Sequence, residues 1–237
     1  MPANYKNFQH YIDEGWSKNP KEIFKFVDSY IANDNKIGNI NLLDIGCATG
    51  EFIYYLSSRY PAYNYTGIDV FDDLIEQCNT LQPNKTFIKA SALDLPKHLY
   101  GQFDFVTAVG VMSIFDEDEL PLFLDNLIKA CRENGVIYIL SPLNEFGVDC
   151  VLKHRKWKSG NKGSWEKGWN IYSQETLSEI LQNRCKELSF HPFKINFDLP
   201  QRDDKIRTWT MKTENNDRQL TNGLKLLVDH YLIKIVL

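Results

Sequence analysis

Apolar positions along the chain fall into short blocks whose period changes twice. In NPKEIFKFVDSYIAND, Ile23, Phe24, Val27, Tyr30 and Ile31 recur at near-helical spacing. Asn19 and Pro20 suit the start of that helix. From Ile40 onward, apolar runs alternate with amphipathic stretches. NINLLDI, NYTGIDV, TFIKAS, FDFVTAVGV and GVIYILSP read as strands. Between them GEFIYYLSSRY, DDLIEQCNTL and DELPLFLDNLIKACREN read as helices. Strands alternating with helices predict an α/β chain whose parallel strands are joined by right-handed crossovers into a doubly wound sheet with helices on both faces.

Past Pro142 the rhythm breaks. LNEFGVDCVLKHRKWKSGNKGSWEKGWNIY holds three tryptophans, four glycines and a basic cluster with no clean period. SQETLSEILQNRC restores a helix, with Ser173 as its N-cap and Thr176 three residues on. LSFHPFKINF, KIRTWTMKT and RQLTNG read as strands, the last two joined by a turn at ENND, and HYLIKIVL closes the chain as a buried strand. This divides a single domain into a helical extension (1–38), a core (39–143), an insert (144–172) and a tail of helix and antiparallel strands (173–237).

The 237 residues suffice for one domain with a full core. Apolar content of 43% and charged content of 24% are those of an ordinary globular chain, and a net charge of −4 gives little reason to expect a nucleic-acid partner. The five cysteines, Cys47, Cys78, Cys131, Cys150 and Cys185, are scattered and never form a C-x-x-C pair. A disulfide framework or a zinc site is therefore not expected, and a reducing cytoplasm is. MPANYKNFQHYIDEGW lacks the apolar centre of a signal peptide, and no apolar run is long enough for a membrane partner.

The chemistry concentrates in LLDIGCATGEF, Leu42 to Phe52. Small residues at Gly46, Ala48 and Gly50 let backbone approach a ligand where the first strand becomes a helix. A dinucleotide fingerprint starting at Gly46 needs glycine at 48 and 51, where the chain has Ala48 and Glu51. An acid at a helix N-terminus repels phosphate, and Asp44 adds a second negative charge. The turn is therefore expected to hold a ligand whose charge there is positive. Asp69 ends the second strand about 20 residues on, where an acid accepts ribose hydroxyls.

DIGCATG resembles the acid-x-G-x-G-x-G signature of class I S-adenosylmethionine-dependent methyltransferases, with Ala48 at the middle glycine. The resemblance implies a mostly parallel seven-stranded sheet with an antiparallel C-terminal strand, and S-adenosyl-L-methionine as cofactor. It places Asp44, Gly46, Cys47, Ala48, Gly50, Asp69 and Val70 against that cofactor. KASALDLP is similar to the family's adenine-contacting stretch, with Ser91 where Asp is frequent and Ala92 offering its N–H. FDFVTAVGV is similar to the segment beside the methionine part, which brings in Val109.

Methylating a hydroxyl also requires a base. His154 lies in the insert expected over the transferred methyl group, with Glu145 and Asp149 as rivals. The insert itself is expected to be an acceptor lid, with Trp165, Trp169 and Arg155 contacting a small-molecule or sugar-bearing acceptor, methylated at oxygen. No metal constellation is present, and the sequence does not specify an oligomeric state. Three alternatives remain: an RNA or protein methyltransferase, a nicotinamide oxidoreductase disfavoured by Ala48 and Glu51, and a catalytically silent cofactor-binding protein.

Overall fold

Strand β1 (Asn41–Ile45) is the middle of the architecture. Its Leu42, Leu43 and Ile45 are fully buried, so neither face meets water, as expected of a parallel strand covered by helices on both sides. The computed structural model describes residues 20–34, 36–158, 160–215 and 217–237. The polar N-terminal stretch and most of the expected helical extension lie outside them.

Helix α1 (Glu22–Asp34) precedes β1. Then follow α2 (Glu51–Arg59), β2 (Asn64–Asp69), α3 (Asp72–Leu81), β3 (Thr86–Lys89), β4 (Phe103–Val109), α4 (Leu120–Ala130) and β5 (Cys131–Asn144). Four two-residue strands come next: β6 (Lys153–His154), β7 (Trp157–Lys158), β8 (Asn161–Lys162) and β9 (Glu166–Lys167). The chain ends with β10 (Tyr172–Ser173), α5 (Gln174–Leu181), β11 (Glu187–Pro192), β12 (Trp209–Lys212), β13 (Arg218–Thr221) and β14 (His230–Val236).

The sheet runs β3-β2-β1-β4-β5-β14-β11, with short β10 beside the end of β5. Strands β1 to β5 are parallel to one another, and β14 is antiparallel to both β5 and β11. This is the mostly parallel seven-stranded order with a reversed last strand.

Period-2 alternation divides the strand side chains between two cores. Leu43, Ile45, Ile137, Ile139, Ile233 and Ile235 face α4 and α5. Leu42, Phe105, Tyr138, Leu140 and Leu232 face α1, α2 and α3. A smaller cluster of Ile195, Leu220 and Val228 forms at the sheet's ligand edge.

The tail follows expectation at α5, where Ser173 Oγ accepts the Thr176 N–H at 3.2 Å. Three segments differ from the sequence pattern, the first being LSFHPFKINF, whose strand β11 ends at Pro192. Helix α4 stops at Ala130 rather than continuing through Asn134, because Cys131 is already extended and Asn134 takes a φ of 62°. Residues 153–167, which lack a period, form a hairpin: β6 pairs with β9 and β7 with β8. Its strands are too short to show alternation.

Candidate active site

The loop after β1 is held by its own amides. The N–H groups of Gly46 and Cys47 both donate to the Ile68 carbonyl, at 2.8 and 2.9 Å. Ala48 N–H donates to Asp69 Oδ2 at 3.0 Å, and Gly50 N–H to the Cys47 carbonyl at 2.8 Å. A phosphate cradle needs such donors free and aimed at the ligand. Here four of them are spent inside the protein.

Three residues of the loop take the left-handed conformation: Gly46 (φ 72°), Ala48 (φ 47°) and Gly50 (φ 72°). At Gly46 a side chain has no room, because an added Cβ would lie 2.3 Å from Val111 Cγ2. Ala48 adopts this conformation despite its Cβ, at a cost of about 1 kcal/mol. Gly50 turns away from the ligand side. Its Cβ would meet Gln82 and Phe87, so glycine is required there for loop packing, and Gly50 is not among the residues that line the cavity.

The loop opens onto a cavity of about 700 Å³. Of the expected cofactor residues, Asp44, Gly46, Cys47, Ala48, Asp69, Val70, Ser91, Ala92 and Val109 line it. Asp44 is 3% exposed and accepts the Thr107 hydroxyl at 2.8 Å. Burial pushes its carboxyl up to about 7, with that hydrogen bond opposing and the charge of Asp69 adding to the rise. Asp69 is raised by burial too, against backbone donors from Phe71, Ala48 and Val70. A carboxylate has about four lone-pair positions, so Asp69 keeps an acceptor for a ribose hydroxyl. Ser91 Oγ accepts the Leu93 N–H at 3.1 Å, which fixes the turn after β3.

The second acid of the loop needs correction. Lys21, just before α1, lies 2.8 Å from Glu51, so Glu51 is compensated and does not by itself set the sign of the site. Asp44 and Asp69 do that.

Trp169 alone of the three expected acceptor contacts lines the cavity. It does so at φ 64°, an outlier for a bulky side chain, beside Gly168 at φ 144°. Trp165 is 61% exposed and does not reach the cavity, because the hairpin turns it outward. The Arg155 guanidinium stacks over the Trp165 ring at 4.7 Å and is carried outward with it. His154, the expected base, is also displaced. It is 8% exposed and does not line the cavity; Glu166, 3.9 Å from its Nε2, lines the cavity instead. Burial lowers its pKa. The rival bases are engaged elsewhere: Glu145 accepts the Tyr231 hydroxyl at 2.8 Å, and Asp149 accepts the Ser173 N–H at 2.7 Å.

Three further groups line the cavity. Phe193, Ile195, Phe197, Leu199 and Leu220 form the apolar wall. Lys156 of the basic cluster, held at 2.9 Å by Asp204, and Lys167, paired with Asp116 and Glu119, stand among the lining residues. The third is His230, at the start of β14.

A parallel sheet with a reversed seventh strand, and acids at the ends of its first two strands beside a phosphate-poor loop, define an α/β protein that binds a nucleoside carrying positive charge. The chain belongs to the methyltransferase domain family, whose model matches residues 8–184. It is 25% identical over 217 residues to a tRNA (guanine-N(7)-)-methyltransferase of Clostridium botulinum strain Hall, covering 90% of this chain and 88% of that one. It is 24% identical over 165 residues to a malonyl-[acyl-carrier protein] O-methyltransferase of Priestia megaterium, covering 66% and 57%. Among solved structures, an S-adenosylmethionine-dependent methyltransferase from Methanosarcina mazei superposes with a TM-score of 0.59 at 16% identity, covering 87% of this chain and 96% of that one. A protein of echinomycin biosynthesis, studied for converting a disulfide bond into a thioacetal group, gives a TM-score of 0.56 at 18% identity, covering 93% and 84%. The protein is an S-adenosylmethionine-dependent methyltransferase of the Rossmann-like fold.

The residues present fit that cofactor. Gly46 leaves room beside Val111, Asp69 offers an acceptor for a ribose hydroxyl, and Asp44 offers an anion for the amino-acid end. When bound, S-adenosylmethionine supplies an electrophilic methyl group on a sulfonium. Among the described residues, no helix is long and apolar enough to cross a membrane.

Proposed function

We propose that the enzyme methylates an oxygen of a small-molecule or sugar-bearing acceptor, and that residues 144–172 cover that acceptor. The observation that carries this reading is the shape of the cavity beyond the cofactor loop. Its far wall is apolar, built from Trp169, Phe193, Ile195, Phe197, Leu199 and Leu220, with Lys156, Arg202, Asp204 and Arg207 also in the lining. A concave pocket that joins an apolar wall to polar and charged groups suits a compact organic molecule. A polynucleotide requires an open basic surface, whereas the chain has a net charge of −4. The carrier-bound small acceptor in the name of the Priestia relative agrees with this reading.

One observation favours RNA as the acceptor. On the outer face of the hairpin, Arg155 lies 4.7 Å over Trp165 and Lys162 lies 5.5 Å over Trp157, with both rings 61% exposed. Basic groups beside exposed aromatics suit single-stranded nucleic acid, and the Clostridium relatives carry a tRNA name. This face points away from the methyl-transfer cavity, so it ranks second. Incubation with methyl-tritiated cofactor and two separate pools, total tRNA and a small-molecule cell extract, tests the choice. The small-molecule pool should take the label. Label confined to tRNA would replace this reading with the second.

A further inference from the structure

Among the described residues, His230 is the histidine that lines the cavity. It opens β14 opposite Pro142 of β5. Because β14 runs antiparallel, its first residue stands at the same edge where the parallel strands end and where the cofactor loop begins. The main chain there is fixed, with the His230 carbonyl accepting the Phe193 N–H at 2.8 Å. The ring is enclosed by protein yet keeps part of its surface toward the cavity. Its Nδ1 is buried within the protein, so the ring meets the cavity through its other edge, which carries Nε2.

We propose that His230 is the general base of the reaction, and that it serves an acceptor with an acidic hydroxyl, such as a phenol or an enol. This rests on methylation at oxygen. In the step, the O–CH₃ bond forms as the S–CH₃ bond breaks, and sulfur keeps the electron pair and becomes neutral. The hydroxyl proton passes to the imidazole. The cavity holds one positive charge before the step, on sulfur, and one after it, on the imidazolium. The burial that disfavours a charged His230 in the empty site is therefore not an added cost of the reaction.

The environment narrows the acceptor. Burial lowers the His230 pKa to about 4, opposed by a backbone hydrogen bond at Val228. No charged side chain contributes to that shift. Its neighbours in the chain are engaged elsewhere: Asp229 accepts from Gln219, and the Tyr231 hydroxyl donates to Glu145. The Lys156–Asp204 pair and Asp44 share the cavity. Such a base is neutral and available at pH 7, and the aromatic side chains of Phe193, Phe197 and Trp169 in the same lining suit a flat, acidic hydroxyl compound better than an aliphatic alcohol.

Two measurements test the proposal. In ¹⁵N-labelled enzyme loaded with S-adenosylhomocysteine, the His230 ring signals are identified by their loss in His230→Gln. The ring should stay neutral from about pH 5.5 to 9 and its signals should move when phenol is added. A charged ring at pH 7, or signals that phenol leaves in place, overturns the assignment. In turnover, His230→Gln should lose on the order of 10²–10⁴-fold with phenol but less than about threefold with 4-nitrophenol, which ionises without help. Equal losses on both acceptors mean a structural role and also overturn it. S-adenosylhomocysteine affinity should be unchanged, with His230→Asn used if the Gln variant does not fold. A wild-type enzyme that methylates neither phenol places the failure in the oxygen-acceptor reading, and the ring titration then decides the role of His230.

Discussion

Asp44 is a carboxyl that burial holds near the neutral form until a cation arrives. Its raised pKa has two consequences of opposite sign. In the ligand-free protein its contribution to stability is greatest in acid and falls as pH rises through the carboxylate range toward 7. Cofactor binding favours the ionised form, so affinity should rise from about pH 5.5 to 7.5 and then level off, with a proton released near neutrality. Calorimetry in buffers of different ionisation enthalpy checks this; affinity flat across that range would remove Asp44 from the cation's neighbourhood. Asp69→Ala should weaken the cofactor by about 1.5–3 kcal/mol, the scale of hydrogen bonds to a charged group. An unchanged dissociation constant in the folded variant would move the ribose contact elsewhere. Gly46→Val should abolish binding, since its side chain collides with Val111 and resists a φ of 72°. Near-normal affinity in that variant would reduce the loop to a turn. These residues were legible in the sequence because one short segment and one strand end carry the chemistry. Gly50 is not among the cavity-lining residues, and a motif does not say which way each glycine faces. His230 was invisible because its place comes from the pairing of β14 with β5, far away in sequence.

At the scale of elements, strands and helices with an unbroken period were readable, and α5 was readable down to its cap. Ser173→Ala should cost about 1 kcal/mol by removing the bond to the Thr176 N–H. A thermal melt that does not shift downward would show that the cap is dispensable. The insert after β5 was legible as an interruption but not as a hairpin, because four two-residue strands leave no alternation to detect. It was also uncertain which of its aromatics point inward. Register decides that: His154 pairs with Glu166, while Trp157 pairs with Lys162 on the outer face. Trp169→Ala should raise the acceptor's Michaelis constant while leaving S-adenosylmethionine affinity within about threefold. Amide exchange in residues 144–172 should slow when product is added. Exchange that stays fast, with wild-type turnover in the variant, would leave the hairpin without a role over the acceptor.

At the scale of the molecule, the order β3-β2-β1-β4-β5-β14-β11 gathers groups from distant segments at one edge. Asp44 and Asp69 come from the ends of parallel strands, and His230 from the start of the reversed one. The alternation of five strands with three helices already implied that edge, since ligands bind beyond the carboxyl ends of such strands. The apolar wall of the cavity was not legible, because Phe193, Ile195, Phe197 and Leu199 read as ordinary apolar positions and reach the cavity only through the tertiary fold. The central claim is that this edge is built for a positively charged nucleoside and not for a dinucleotide. Calorimetric titration of the wild-type protein with S-adenosylmethionine, S-adenosylhomocysteine, NAD and NADP tests it most directly. The first two should bind at micromolar concentrations and the last two should give no heat of binding; tight dinucleotide binding without S-adenosylmethionine binding would contradict the account.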